Sequence, residues 1–396
     1  MKSAVRFPSP CLPLAALSGF LPHYAQMNIG IIGLPKAGKT TIFNALTGQN
    51  AEVAEYATGK VEPNVAVVDV GDPRVEELAR RYQPKKTIHA TIEFIDFVAG
   101  GGHAGHGAGG GQGADESEGI FSGEGITHIR NADALLLVLR NFSTPTLDEV
   151  YGSPDPKRDL EHIEEELILA DQVVAERRLE RIEADHARGK KTQGSQAEQK
   201  VMRRVVEQLD AGEMVRGLEM TADEERLISG FRFLTAKPVL IVVNSSEETY
   251  GNNEAVLEEL EARHPAIEFA GSLEMELAGM EPEEAAAFLE DMGISESARD
   301  RLTRFAYRML GYISFFTVGE DEVRAWTIRE GENAQEAAGT IHSDLAKGFI
   351  RAECFTYDDL VSAGSEHAVK QQGHFRLEGK DYIVKDGDIL NIRFNV

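Results

Sequence analysis

The chain has 396 residues, 42% of them hydrophobic, more than one core absorbs and enough for two or three folded domains. Its formal net charge of −25 argues against broad electrostatic attachment to nucleic acid, while leaving room for a local basic patch on RNA phosphates. The two cysteines, Cys11 and Cys354, form neither a disulfide framework nor a spaced zinc site, which suits a reducing compartment.

Residues 1–26 carry Lys2, Arg6 and a short apolar run broken by prolines, with no convincing cleavage site after it; the reading is a disordered or mis-assigned extension before Met27. No later segment is long and apolar enough to span a membrane, so a soluble cytoplasmic protein without membrane attachment is expected. From Met27 the order is strand, glycine-rich turn, helix: NIGIIG, LPKAGKT, then TIFNALTG with Ile42, Phe43 and Leu46 at helical spacing. Further β-type runs follow at 65–70, 91–97, 134–140 and 237–244, mostly apolar as buried parallel strands are, which predicts one sheet with helices on both faces.

Between the last two of these runs the composition becomes charged and helical, with Leu160, Ile163, Leu167, Ala170 and Val174 at three- and four-residue steps. An antiparallel, coiled-coil-like arm is predicted, its tip at 189–200 and its second helix running through Val201, Val205 and Leu209. The Gly/His stretch 100–113 is too poor in apolar side chains to offset its own ordering and reads as a loop. From Tyr312 the sequence is β-rich again. The predicted organisation is a nucleotide-binding α/β domain over 27–144 and 236–311, a helical insertion over 145–235 and a C-terminal domain over 312–396.

GLPKAGKT, Gly33 to Thr40, carries two glycines at phosphate-loop spacing followed by Lys and a hydroxyl residue. Gly33, Leu34, Pro35, Lys36, Ala37, Gly38, Lys39, Thr40 and Thr41 are therefore the predicted nucleotide contacts. The glycines let backbone wrap a phosphate, the following helix offers free N–H groups, Lys39 neutralises β- and γ-phosphate charge in the catalytic role, and Thr40 is placed to ligate Mg²⁺. Asp96 ends a strand where nucleotide switches hold the metal shell, although the usual DxxG is disturbed, with Ala99 and then Gly100. Thr58, in the segment Tyr56 to Asn64, is a further candidate metal ligand. Asn244 and Glu247, in NSSE at the end of the fifth predicted strand, stand where guanine-specific proteins carry NKxD; the longer Glu247 disfavours guanine and makes adenine the expected base. His103 and His106 read as part of a Gly/His linker, and His128 and Arg130 lie just before the fourth predicted strand.

GLPKAGKTTIFNALTG, EPNVAVVDVGDPR, NSSE, LTAKPVL and the C-terminal run FFTVGEDEVRAWTIREGENAQEAAGTIHSDLAKGFIRAE with GKDYIVKDGDILNIRFNV together resemble the YchF or Obg-like ATPase family, from about Met27 to Val396. The resemblance includes the arm (DPKRDLEHIEEELILAD). It implies a P-loop NTPase sheet with an inserted helical arm and a C-terminal β-grasp-like TGS domain. It also implies a slow, Mg²⁺-dependent nucleotide switch that prefers ATP to GTP through Asn244 and Glu247. Ribosomes are the implied partner, the large subunit in particular, with RNA contact through the TGS domain. Two positions depart from the family: Lys60 stands where its switch threonine is expected, leaving Thr58 to substitute, and its proposed catalytic histidine is left open among His103, His106 and His128. The rival readings are a GTPase using the same site and a nucleotide-sensing RNA- or protein-binding module with little turnover. Oligomeric state is not legible in the sequence.

Overall fold

The computed structural model describes residues 28–48, 63–97, 124–291, 294 and 296–395. The extension 1–26, Cys11, Thr58, Lys60, the disturbed DxxG glycine and the Gly/His loop with His103 and His106 lie outside these residues. Contacts divide the described residues into two units, one running from Leu167 to Ala236 and the other made of the described residues before and after it.

The larger unit opens with β1 (Asn28–Ile32), α1 (Lys39–Thr47), β2 (Asn64–Asp69), α2 (Pro73–Tyr82), β3 (Lys86–Ile88), β4 (Thr91–Asp96), α3 (Glu124–Asn131) and β5 (Ala134–Asn141). After α4 (Pro145–Tyr151), the long α5 (Pro156–Ala187) runs out of it, and α6 (Gln193–Asp210) and α7 (Ala222–Ile228) complete the smaller unit. The chain then returns through β6 (Val239–Ser245), α8 (Glu254–Glu261), β7 (Ala266–Phe269), α9 (Gly271–Ala278), α10 (Pro282–Asp291) and α11 (Ala298–Met309).

The first sheet has the order β2-β4-β1-β5-β6-β7. The apolar runs in β5 and β6 are buried along nearly their whole length, as parallel central strands covered on both faces are. β2 corrects the expectation of uniformly parallel buried strands. It pairs antiparallel with β4 at the sheet edge, and its alternation leaves Val65 and Val67 about half exposed (49% and 52%) while Ala66 and Val68 enter the core.

In the smaller unit, Ile168, Val174, Ala175 and Leu179 of α5 meet Val201, Met202, Val205 and Leu209 of α6. This seam begins about two turns beyond the start of the predicted stripe and shares Val174 with it. The tip is also shorter than the expected 189–200. Thr192 and Ser195 form a reciprocal capping box, so α6 begins at Gln193 within the polar stretch.

The C-terminal part consists of β8 (Tyr312–Thr317), β9 (Glu322–Arg329), α12 (Ala334–Ile341), α13 (Ser343–Lys347), β10 (Phe349–Thr356), α14 (Tyr357–Ala363), α15 (Glu366–Gln371), β11 (Arg376–Glu378) and β12 (Asp388–Phe394). Ala334, Ala337 and Ala338 give α12 a face of small side chains that packs with Phe315, Ile328, Cys354 and Leu390. The sheet order is β11-β10-β12-β8-β9-β3, so its edge strand comes from the first hundred residues of the chain. At three residues, β3 is too short to carry a period and has no signature in the sequence. A single apolar core continues from Phe43 and Phe94 beneath the first sheet to Phe316, Phe355 and Ile389 in the second.

Arg74 fastens the two sheets from the first turn of α2. Its guanidinium donates to both oxygens of Asp72 and both of Asp386, and lies 5.1 Å over the Phe316 ring. Asp386 in turn accepts from Ser314 N of β8. Arg74 is about a quarter exposed, which tempers the value of the pairing, but its loss leaves two carboxylates facing one another. Arg74→Ala is expected to cost about 2 kcal/mol, read as a lowered urea midpoint, whereas Lys85→Ala, which removes an exposed pair with Asp321, changes stability by less than about 0.5 kcal/mol.

Candidate nucleotide-binding site

The loop between β1 and α1 has the conformation that its glycines permit. Gly33 (φ 155°) and Gly38 (φ 99°) both lie in the region that favours glycine, and a Cβ on either would run into a neighbour: the Val138 carbonyl oxygen at Gly33, the Asn244 amide at Gly38. Lys36 also adopts a left-handed conformation (φ 61°), which a side chain tolerates at a modest cost and which the sequence did not signal. Gly38 is the N-cap of α1 with no side-chain cap, so the helix start leaves backbone N–H groups directed at the loop.

Lys39 reaches back across the loop. Its ammonium donates to Gly33 O at 3.0 Å and Leu34 O at 2.9 Å, spanning the space that the loop encloses. Burial lowers its pKa to about 8, opposed by the charge of Asp96 and assisted by Lys36. Thr40 Oγ1 donates to Asp96 Oδ2 at 2.9 Å, bringing together the hydroxyl and carboxylate predicted as metal ligands. Asp96 is fully buried, its Oδ1 has no well-formed hydrogen bond among the described residues, and burial raises its pKa against the Thr40 bond, the nearby Lys39 charge and the Asn64 side chain. An orphaned carboxylate oxygen beside a hydroxyl suits a hard divalent cation, which oxygen ligands bind and whose charge relieves the burial of Asp96. Leu34, Pro35, Lys36 and Ala37 fill the rest of the loop, with Pro35 and Lys36 exposed and Ala37 buried, and Thr41 lies in the first turn of α1.

Asn244 is the penultimate residue of the buried run of β6 and bonds on both sides. Its Nδ2 donates to Ala37 O at 3.0 Å and its Oδ1 accepts from Gly271 N at 3.1 Å, so one carboxamide joins the phosphate loop to the segment after β7. Glu247, three residues on, is exposed in the turn that follows. Gly271 was missed in the sequence because β7 has four residues and resembled an ordinary loop; the trace available was its place after a strand, where open α/β sheets bind ligands. Asn141, at the end of β5, was missed likewise; its amide donates to Ser245 Oγ at 3.0 Å. His128 sits on α3 and stacks on Phe97, the residue after Asp96, with ring centroids 6.3 Å apart. The Arg130 carbonyl accepts from Lys237 Nζ at 3.0 Å.

Comparison with known proteins places the fold in a family. Residues 28–177 match the family model described as a 50S ribosome-binding GTPase, and residues 312–395 match the YchF-type GTPase C-terminal model, described as a protein of unknown function. The ribosome-binding ATPase YchF of Bacillus subtilis is 40% identical over 377 residues, spanning 93% of this chain and all of the relative. Its counterpart in Escherichia coli O157:H7 is 37% identical over 371 residues, 93% of this chain and 99% of the relative. The structure of the Schizosaccharomyces pombe YchF GTPase superposes with a TM-score of 0.78 at 30% identity, covering 93% of this chain and 98% of that one.

Two outcomes follow from the loop. Gly38→Ala forces a Cβ into Asn244 at a φ that alanine resists, and nucleotide affinity measured by fluorescence titration is expected to fall by about a hundredfold. The second concerns protons. Lys39 in the free protein titrates near 8, and an anionic phosphate raises that value, so binding takes up a proton where the free lysine is partly neutral. Calorimetry in buffers of different ionisation enthalpy should find uptake rising as pH goes from about 7 through 8 to 9, and Lys39→Arg should abolish it.

Proposed function

The chain belongs to the YchF family, and we propose that it is a Mg²⁺-dependent nucleoside triphosphatase that prefers ATP, turns it over slowly and acts in the cytoplasm on the ribosome. The observation that carries this reading is the buried Asp96 carboxylate, bonded through Oδ2 to Thr40 and with Oδ1 unsatisfied among the described residues, beside a Lys39 ammonium held by the phosphate loop. No helix of the described residues is long and apolar enough to cross a membrane.

In this reading the loop amides and Lys39 meet the β- and γ-phosphates, and the low-dielectric setting that depresses the Lys39 pKa strengthens its attraction for the charge spread over the transferring group. Thr40 and Asp96 hold the metal, with Thr58 as a further candidate ligand. When bound, Mg²⁺ supplies charge neutralisation between phosphate oxygens. Asn244 shapes the loop and Glu247 selects the base, its longer side chain accepting differently from the aspartate that pairs with guanine. Ribosome contact, at the large subunit, extends the names of the relatives and of the family model to this chain; RNA contact through a TGS-like region over 312–396 is part of the same proposal and rests on the sequence resemblance alone.

The test is equilibrium binding of labelled ATP and GTP with Mg²⁺, in the parent and in Glu247→Asp. A preference for ATP that relaxes toward GTP in the variant is expected; preference for GTP in the parent would move the protein to the GTPases. Lys39→Ala should remove both binding and phosphate release, and tight ATP binding with release no greater than this control, even with ribosomes, would leave a nucleotide-sensing module.

A further inference from the structure

Glu247 is exposed, yet the loop behind it is tied down with unusual thoroughness. Thr249 N and Tyr250 N both donate to Ser246 O, at 3.1 and 2.9 Å. Gly251 N donates to Glu268 Oε2 at 2.9 Å, and the Asn253 amide donates to Oε1 of the same carboxylate and to Thr249 O at 2.8 Å. Glu268 belongs to β7, next to β6 in the sheet, and only 7% of it is exposed. From the other side comes Arg301 of α11, whose guanidinium donates to the main-chain oxygen of Glu268 at 2.9 Å and to the Tyr250 hydroxyl at 3.3 Å. Its Nε is buried with no hydrogen-bond partner among the described residues.

A short polar surface turn is cheap to leave loose, whereas burying a carboxylate is costly unless it is well bonded. Here the buried Glu268 carboxylate is committed to the turn, the partly buried Arg301 guanidinium ties Tyr250 of the turn to the β7 main chain, and that turn carries Glu247 directly after the strand that carries Asn244. We propose that Glu268 and Arg301 are positioning residues for base selection: Glu268 fixes the far end of the loop, Arg301 clamps Tyr250 within it, and together they hold Glu247 where it meets the purine. This rests on the reading of Glu247 as the base-selecting residue. It adds that selectivity resides as much in the stiffness of the loop as in the identity of its carboxylate. Because α11 leads directly into β8, Arg301 also joins the base-selecting loop to the helix that enters the second sheet.

The experiment compares Glu268→Gln, Arg301→Lys and Tyr250→Phe with Glu247→Ala, measuring affinities for ATP, GTP and inorganic tripolyphosphate with Mg²⁺ by calorimetry. The ratio of ATP to GTP affinity is expected to fall about tenfold in the first two, the loss of one charge-assisted hydrogen bond, and about threefold in Tyr250→Phe, which removes a single hydroxyl and leaves the packing intact. Tripolyphosphate, which has no base, should bind all three as it binds the parent; a merely structural role would weaken it in step with ATP, and that result overturns the proposal. So does an unchanged ratio in the three variants when Glu247→Ala abolishes discrimination. If Glu247→Ala itself leaves discrimination intact, the base-selecting role of Glu247 fails and the proposal falls with it.

Discussion

The nucleotide site depends on one buried carboxamide. Asn244 gives its N–H to the phosphate loop and its oxygen to the segment after β7, and the space beside it is kept open by the absence of a side chain at Gly38. A buried amide bonded on both sides is stable only if both partners stay in place, since an unmade bond there costs about 1–3 kcal/mol. The positions of Ala37, Gly38 and Gly271 are thereby linked. The Lys39 ammonium and the Thr40 hydroxyl follow Gly38 in sequence at the start of α1, so their placement inherits this arrangement.

The same loop shows how a charged group is kept ready without a ligand. Lys39 spends its donors on two carbonyls of its own loop while its burial lowers the cost of giving up a proton. Asp96 shows the opposite polarity: burial favours its neutral form, and a cation beside it would reverse that preference. A lysine and a carboxylate whose environments disfavour their charges are a pair that gains from a ligand bringing both a cation and an anion.

What the sequence disclosed was local. Glycine spacing gave the phosphate loop, and long apolar runs gave β5 and β6, because both signals lie within a dozen residues. Thr40 and Asp96, read separately from their motifs, are brought within hydrogen-bond distance. What stayed hidden was non-local or short: the antiparallel edge position of β2, the capping box that starts α6 inside a polar stretch, the four-residue β7 that delivers Gly271, and the Arg301 and Glu268 ties, each supplied by a residue with no motif around it. The resemblance of the C-terminal run to a known family was legible over most of its length, but not that its sheet borrows a strand.

That borrowed strand has a consequence during synthesis. Lys86–Ile88 pairs in parallel with Glu322–Arg324, a separation of 236 positions, the widest between paired strands among the described residues. At translation rates of about 5–20 residues per second, β3 waits on the order of tens of seconds for its partner to leave the exit tunnel. During that interval its backbone donors and acceptors are unclaimed, and so are the apolar side chains of the first sheet that later meet Phe316 and Ile389. The nascent chain therefore has a definite period of vulnerability to mispairing and to chaperone capture, set by the position of one three-residue strand.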